Sequence, residues 1–473
     1  MKSVSQLRSD ALAIWQAGVA AVHSDRLVRD NVRLDGEWLV IGDETIDLSK
    51  IGRIAVVGAG KAGTGMAAGL EQALGPKVLN DKQVHGWVNV PADCVQKLQC
   101  MHLHAARPAG MNEPTDAGVF GAKKILEIVA SLGPQDVCFC LISGGASALL
   151  PAPLHGVSLA EKQVITRLLS AGGANIEELN TVRKQLSQIK GGRLAKRCRA
   201  GRLITLIISD VLGDPLDVIA SGPTVPDSHT AAEALGIVER YGINDNAAPA
   251  ALEYLRTVAW GETRPPGKYP MGNGVVRQII PAPYKAASCQ VTNLVIGNNA
   301  IAVDAAGVEA ERRGYSHAMH AATKLEGAAE DIGRDLAAMT LRMMSEPGPD
   351  CLITGGEPTV KLAPPEIRGK GGRNQQLVLA ALTEIQKSEI RIQNSEFALL
   401  SGGTDGEDGP TDAAGAVIDS DFLSRVPATG LDPTDYLRRT DAYPFFDRLN
   451  GLIKTGPTHT NVCDVRVVVV NRD

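Results

Sequence analysis

Three kinds of residue in this sequence have types and spacings that could do chemistry: cations beside glycine turns, Ser-Gly-Gly endings of apolar runs, and aspartates in glycine-rich loops. The first is GAGKAG at Gly58–Gly63, which follows the apolar run Ile54–Val57 and matches the G-x-G-x-x-G dinucleotide fingerprint. Gly58 and Gly60 would let the backbone approach an anion closely, and Lys61 stands in the middle of the turn. A nicotinamide enzyme places an acid after the next strand for the ribose. Here that strand, Gly86–Val90, ends in Pro91. A lysine beside a helix start suits a phosphate or carboxylate better, and the alternative is a tight turn with an exposed lysine.

SGGASALL at Ser143–Leu150 offers the backbone amides of Gly144 and Gly145 and the hydroxyls of Ser143 and Ser147. Further on, NTVRKQLSQIKGGRLAK begins at Asn180. Leu179, Val182, Leu186 and Ile189 form a helical stripe, with Arg183 and Lys190 on its flanks and Lys190-Gly191-Gly192 as the expected helix end. Basic residues so placed can lean over a cleft. From Arg183 to Arg202 there are eight basic residues and no acid, and a solvated basic face is the competing reading.

Among the carboxylates, SDVLGDP puts Asp210 directly after an apolar run, with Asp214 four residues later. SGGTDGEDGPTDAAG adds Asp405, Asp408 and Asp412. Such loops suit Mg²⁺, which takes one or two carboxylates plus phosphate oxygens and water. Each aspartate alone could equally be a turn or N-cap residue. IRGKGGRNQQLVLAAL brings Arg368, Lys370, Arg373 and Asn374 to the start of an apolar helix, the make-up of an anion site. GPTHTNVCD adds Thr458, His459, Thr460 and Asn461, of which His459 is a base or a structural residue. His102 and His104 share a strand face without a third ligand, which argues against zinc. Neither a G-x-x-x-x-G-K-[ST] loop nor an H-R-D and D-F-G pair occurs.

These motifs need elements to hold them. A short β-branched run, a glycine or acid turn and a helical stretch recur at Ile54, Val137, Leu203, Leu294, Cys351 and Phe397. That alternation predicts α/β layers with parallel sheets and ligands at the strands' carboxyl ends. With 473 residues the chain needs two or three domains. The Pro/Gly-rich stretch Trp260–Pro283 suggests an N-terminal domain over 1–260, a linker or lid over 261–290 and a C-terminal domain over 291–473. Leu12, Trp15, Val19 and Val22 predict an amphipathic first helix. A net charge of −5 offers no broad field for nucleic acid, and no run of apolar residues would span a membrane. Eight cysteines without a C-x-x-C pair fit a reduced, cytosolic protein.

In order, GAGKA, ISGGASALL, LNTVRKQLSQIKGGRLA, SDVLGDP, ASGPTVPD, GGEPTV, GKGGRNQ, SGGTDGEDGPTDAAGA and GPTHTNV resemble the glycerate 2-kinase family, whose C-terminal half is called the MOFRL domain. The resemblance runs from about Leu12 to Val470. It implies a Rossmann-like N-terminal domain, a MOFRL-type α/β C-terminal domain and an active site in the cleft between them. It further implies ATP, Mg²⁺ and phosphorylation of D-glycerate at its 2-hydroxyl, by a monomer or homodimer. Lys61 and Arg373 would hold substrate carboxylate and transferring phosphate, and Asp210 or Asp405 would bind metal or accept a proton. Gly58, Gly60, Ser143, Gly144, Gly145, Ser147, Asn180, Arg183, Lys190, Gly355, Gly356, Glu357, Asn374, Thr458 and Asn461 complete the candidate binding set. One departure is Arg107-Pro108, where many relatives have His-Pro. The alternative activity is an NAD(P)H-dependent hydroxypyruvate reductase.

Overall fold

The β-branched runs assemble into two six-stranded sheets. The structure, a computed structural model, describes residues 2–262, 267–270, 276–279, 289–388 and 395–472. The expected linker or lid over 261–290 falls largely outside the described residues.

The first sheet has the order Met101–Arg107, His85–Pro91, Ile54–Ala59, Val137–Ile142, Arg202–Ile208, Gln290–Gly297. Its first five strands pair in parallel. Every residue of Ile54–Ala59 and Val137–Ile142 is buried, as an apolar run covered on both faces must be. Numbered along the sheet, the strands run 3-2-1-4-5-6, the Rossmann order. The order reverses between Ile54–Ala59 and Val137–Ile142, so a ligand crevice belongs at the carboxyl ends of those two strands.

The second sheet has the order His317–Ala321, Cys351–Gly356, Asp464–Asn471, Glu396–Gly403, Gly415–Asp419, Leu452–Ile453. Only its first pair is parallel. The expectation of parallel sheets therefore fails here. Asp464–Asn471 is buried along seven of its eight residues, and such a strand is stable only inside a sheet. It enters between Cys351–Gly356 and Glu396–Gly403 and runs against both. Helices Ala329–Ser345 and Arg373–Lys387 contribute Leu336, Leu377 and Leu382 to a core with Phe397, Leu399 and Val468.

The first helix spans Val4–Ala21, buries Leu7, Ile14, Trp15 and Val19, and packs on this second sheet. Trp15 Nε1 donates to the Gly402 carbonyl at 3.1 Å. Asp10 accepts bonds from Lys2, Arg313 and Tyr315. Burial resists its charge, but these donors prevail and hold its carboxyl down at about 2.

Two compact units result: Val28–Ile207 with Pro215–Ile296, and Met1–Leu27 with Ile208–Asp214 and Gly297–Asp473. This division departs from a cut between 260 and 291 in two places. Helix Val4–Ala21 follows its buried stripe to the second sheet. Residues 208–214, which begin at the end of strand Arg202–Ile208, belong with the second unit, where Asp210 engages Asn461 and Cys463.

Candidate active site

In the Rossmann unit, the turns after Ile54–Ala59 and Val137–Ile142 are bonded to each other. Lys61 N donates to the Gly144 carbonyl at 2.9 Å, and Ala62 N donates to Ser143 Oγ at 3.1 Å. Gly60 has φ 147°, and a Cβ there would lie 2.0 Å from Ser143 Oγ, so no other residue fits. Gly58 lies within its strand, facing the Leu141 carbonyl. Gly145, at φ 78°, begins the short helix Ala146–Leu149 beside the side chains of Lys61 and Arg107. Arg107 is buried and held by the Met111 carbonyl and Asn112 Oδ1, so the residue that departs from the His-Pro pattern stands at this same turn.

The helix carrying Asn180 and Arg183 ends at Gln185, earlier than Lys190-Gly191-Gly192 predicts. Ser187 Oγ accepts from Ile189 N and Lys190 N, which bends the chain before the glycines. The basic run divides: Lys196, Arg197 and Arg199 are exposed, a solvated face, while the residues before them turn inward. Lys184 is buried against Asp217 and Asp227, and Arg193 caps the carbonyls of Lys184, Gln185 and Ser187. Lys190 and Arg183 instead line a cavity of about 340 Å³ with Gly145 and Ser147. Lys190 Nζ donates to the Ser147 carbonyl at 2.9 Å, to Ser147 Oγ, and to Ser221 Oγ at 3.4 Å. Burial, then the charges of Lys162 and Arg183, push its ammonium well below the usual range. Ser221 Oγ also bonds Asn180 Oδ1 at 3.1 Å. Ala220 and Ser221 have φ of 53° and 60°, a left-handed backbone in non-glycine residues that costs about 1 kcal/mol or more each.

In the other unit, Arg373 is the centre. Its Nε and Nη2 meet Asp464 at 2.6 and 3.0 Å, and Nη1 meets Glu357 at 3.0 Å. Burial lowers the arginine's pKa, but Asp464 and Glu357 more than offset this and raise it. Glu357 is pushed up, first by burial, against the pull of Arg373, with Asp464 and Asp405 adding to the rise. Asp405 follows strand Glu396–Gly403 and accepts from Glu407 N, while its carbonyl accepts from Thr458 N. Asp210, expected in the other domain, lies here: its carboxylate accepts from Asn461 Nδ2 at 3.4 Å and its carbonyl from Cys463 Sγ at 3.1 Å.

Other candidates turn inward. Asn374 is buried, bonded to Asp408 and Ser401. Asp408 accepts from Asn374 N and Gln375 N at the start of helix Arg373–Lys387, and burial pushes its carboxyl up to about 7. Asp408 thus caps this helix, whereas Asp412 is exposed and paired with Lys454 and Tyr443. A Cβ on Gly356 would lie 1.9 Å from Glu326 Oε2, and one on Gly355 1.8 Å from Asn299 Oδ1. These glycines make room for the buried Arg466–Glu326 pair and for Asn299 rather than presenting amides.

A domain of unknown function, DUF4147, matches residues 10–256, and the MOFRL family matches 350–464. Glycerate kinase of Danio rerio is 35% identical over 99% of this chain and 98% of its own length. D-Glycerate 2-kinase of Thermotoga maritima is 35% identical over 98% of both. The chain belongs to the glycerate kinase family. The crystal structure of a glycerate kinase from Thermotoga maritima superposes with a TM-score of 0.79 at 32% identity, covering 99% of this chain and 100% of that one.

Three residues of these clusters carry little signal in the sequence of this glycerate kinase family member. Asp464, an acid ahead of an apolar run, reads as a strand flank, and only the fold brings it to Arg373. Ser221 has no local signal beyond the run ASGP. Lys162 sits in an ordinary amphipathic helix, Leu159–Ala171, and only the cavity singles it out.

Proposed function

We propose that this chain transfers the terminal phosphoryl group of ATP to the 2-hydroxyl of D-glycerate, giving 2-phosphoglycerate and ADP. The observation that carries this reading is the split of charge between the units: a cation-lined cavity in one, an excess of carboxylates in the other. The bond between the terminal phosphorus and its bridging oxygen breaks as one to the 2-oxygen of glycerate forms. The hydroxyl proton passes to a carboxylate, for which Asp405 or Asp210 is assigned. Such a reaction needs positioning and charge neutralisation more than covalent chemistry. Lys61 and the Gly144–Gly145 turn neutralise and orient anionic oxygens. Arg373 is oriented by Asp464 and presents its remaining donor capacity beside Glu357.

Mg²⁺ fits the second unit by its donor set. Arg373 contributes one positive charge among Glu357, Asp405 and Asp464, leaving negative charge in excess. Among the described residues no three His, Cys, Asp or Glu side chains form a ready metal cage. Mg²⁺ asks for less, usually one or two carboxylates with water and phosphate oxygens. Asp405 is assigned first as its ligand with Asp210 as the alternative, the one that does not hold the ion being the proton acceptor, and the ion when bound would neutralise phosphate charge. Eight free cysteines fit a reducing compartment, so the cytosol is the proposed location. Among the described residues no helix is long and apolar enough to cross a membrane.

Incubation with D-glycerate, ATP and Mg²⁺, with the phosphoester identified by ³¹P NMR, tests the reading. Formation of 2-phosphoglycerate is expected. Oxidation of NADH with hydroxypyruvate, and no release of ADP, would replace the kinase with the reductase.

A further inference from the structure

The cavity of the Rossmann unit contains cations that neither the family motifs nor the glycine turns account for. Helix Leu159–Ala171 is fixed by a capping box between Ser158 and Glu161, by Gln163 donating to the Pro114 carbonyl at 2.8 Å, and by Glu161 accepting from Ala250 N at 2.7 Å. It turns Lys162 and Arg167 towards the same cavity as Arg183 and Lys190. Lys162 Nζ donates to the Leu186 carbonyl at 2.8 Å. A lysine in the first turn of a helix opposes the helix dipole, so helix stability does not explain its place.

Four cations thus line one cavity, and Glu113 is the single acid among the lining residues. Elsewhere in the same segment Lys184 has carboxylate partners and Arg193 has carbonyl partners. Arg183 is half-buried, and no carboxylate among the described residues pairs with it. Cations drawn out of water without counter-charges are costly, and a polyanionic ligand is what would offset that cost. A glycerate carboxylate brings one negative charge, too little for this set. A triphosphate chain brings about three to four, and the cavity falls within the ~300–1,000 Å³ common for small-molecule sites.

We propose that this cavity is the polyphosphate site of the enzyme, and that Lys162 and Arg167 bind phosphate oxygens together with Arg183 and Lys190. The proposal rests on the kinase reading for its natural ligand, a nucleoside triphosphate, but its chemistry can be tested without turnover. Calorimetric titration of the whole chain with inorganic tripolyphosphate should show binding. Lys162→Met should weaken it by about tenfold or more, and Arg167→Ala by a few-fold, the scale of lost charge-assisted bonds. Lys162→Arg should retain most of the affinity. Arg167 is exposed, so its replacement does not put folding at stake should Lys162→Met fail to fold. In kinetics, KM for ATP should rise in parallel while KM for D-glycerate stays within about twofold. Unchanged tripolyphosphate affinity in the folded variants overturns the proposal. So does a rise in KM for D-glycerate alone, which would make the cavity the acceptor site of a working kinase. If the wild type binds tripolyphosphate through Lys162 yet never phosphorylates glycerate, the kinase reading fails and the polyphosphate site stands.

Discussion

The two units handle charge in opposite ways. In the Rossmann unit, Lys162, Arg167, Arg183 and Lys190 converge on a cavity with one lining acid. In the MOFRL-bearing unit a single arginine is bound by Asp464 and Glu357, with Asp405 adding further negative charge. An uncompensated cation set is a binding device for an anion. An arginine clamped by a bidentate carboxylate is held in place, its direction decided before any ligand arrives. The contrast also runs within the Rossmann unit: Lys184 is paired with Asp217 and Asp227, while its neighbour Arg183 lines the cavity.

The largest effect expected from breaking this contrast is at Asp464. Asp464→Asn removes the charge that orients Arg373 and leaves a buried pair broken. Thermal unfolding should show a loss of about 3 kcal/mol. The kcat/KM for glycerate should fall by at least ~10²-fold. Retention of both would mean that Arg373 needs no such orientation.

Next comes the cation in the glycine turn. Lys61→Ala should lower kcat/KM by about 10²-fold with little change in melting temperature, because the turn is held by backbone bonds of Lys61 and by Ser143. Near-normal steady-state kinetics in that variant would leave Lys61 with no role beyond the turn.

Within the acidic loop the comparison sharpens. Asp405→Asn should raise the Mg²⁺ concentration needed for half-maximal rate, measured by titrating the metal at fixed ATP. Asp408→Asn should instead cost about 1–2 kcal/mol of stability as a lost helix cap, without shifting the Mg²⁺ curve. Asp412→Asn, exposed beside Lys454, should leave the melting temperature essentially unchanged. A shifted Mg²⁺ curve for Asp412→Asn and none for Asp405→Asn would reverse the metal assignment.

The smallest effect is a proton count. Burial, then the charges of Arg193 and Arg183, push the Lys162 ammonium down to about 7, and Lys190 faces the same cavity. At pH 8 Lys162 is largely neutral in the free protein. A bound polyanion favours its charged form, so tripolyphosphate binding should draw close to one proton from solvent onto Lys162 at pH 8 and little at pH 6. Affinity should accordingly rise as pH falls from above 8 towards 7 and level off below. Comparison of binding enthalpies in buffers of different ionisation enthalpy measures the uptake, and Lys162→Met should reduce it. Equal uptake at both pH values would show that Lys162 is charged throughout.

Much of this protein was legible in its residues. Apolar runs that end in glycine located the strands and the turns after them, because strand burial and tight turns are local matters of hydrophobicity and backbone freedom. Lys61, Arg183, Lys190 and Arg373 could be picked out for the same reason: a cation beside a glycine turn, a helix stripe or a helix start has a local signature. What tertiary structure alone decided was partnership. Nothing local tells Lys184 from Arg183, or Asp408 from Asp405; burial against Asp217 and Asp227, or against the amides of Asn374 and Gln375, does. The antiparallel entry of Asp464–Asn471 into the second sheet brings Asp464 to Arg373, 91 residues away in the chain. The return of residues 208–214 likewise carries Asp210 to Asn461. Composition and periodicity specify which groups a segment offers. Which of them are neutralised depends on contacts between segments distant in sequence, and those exist only once the sheets have formed.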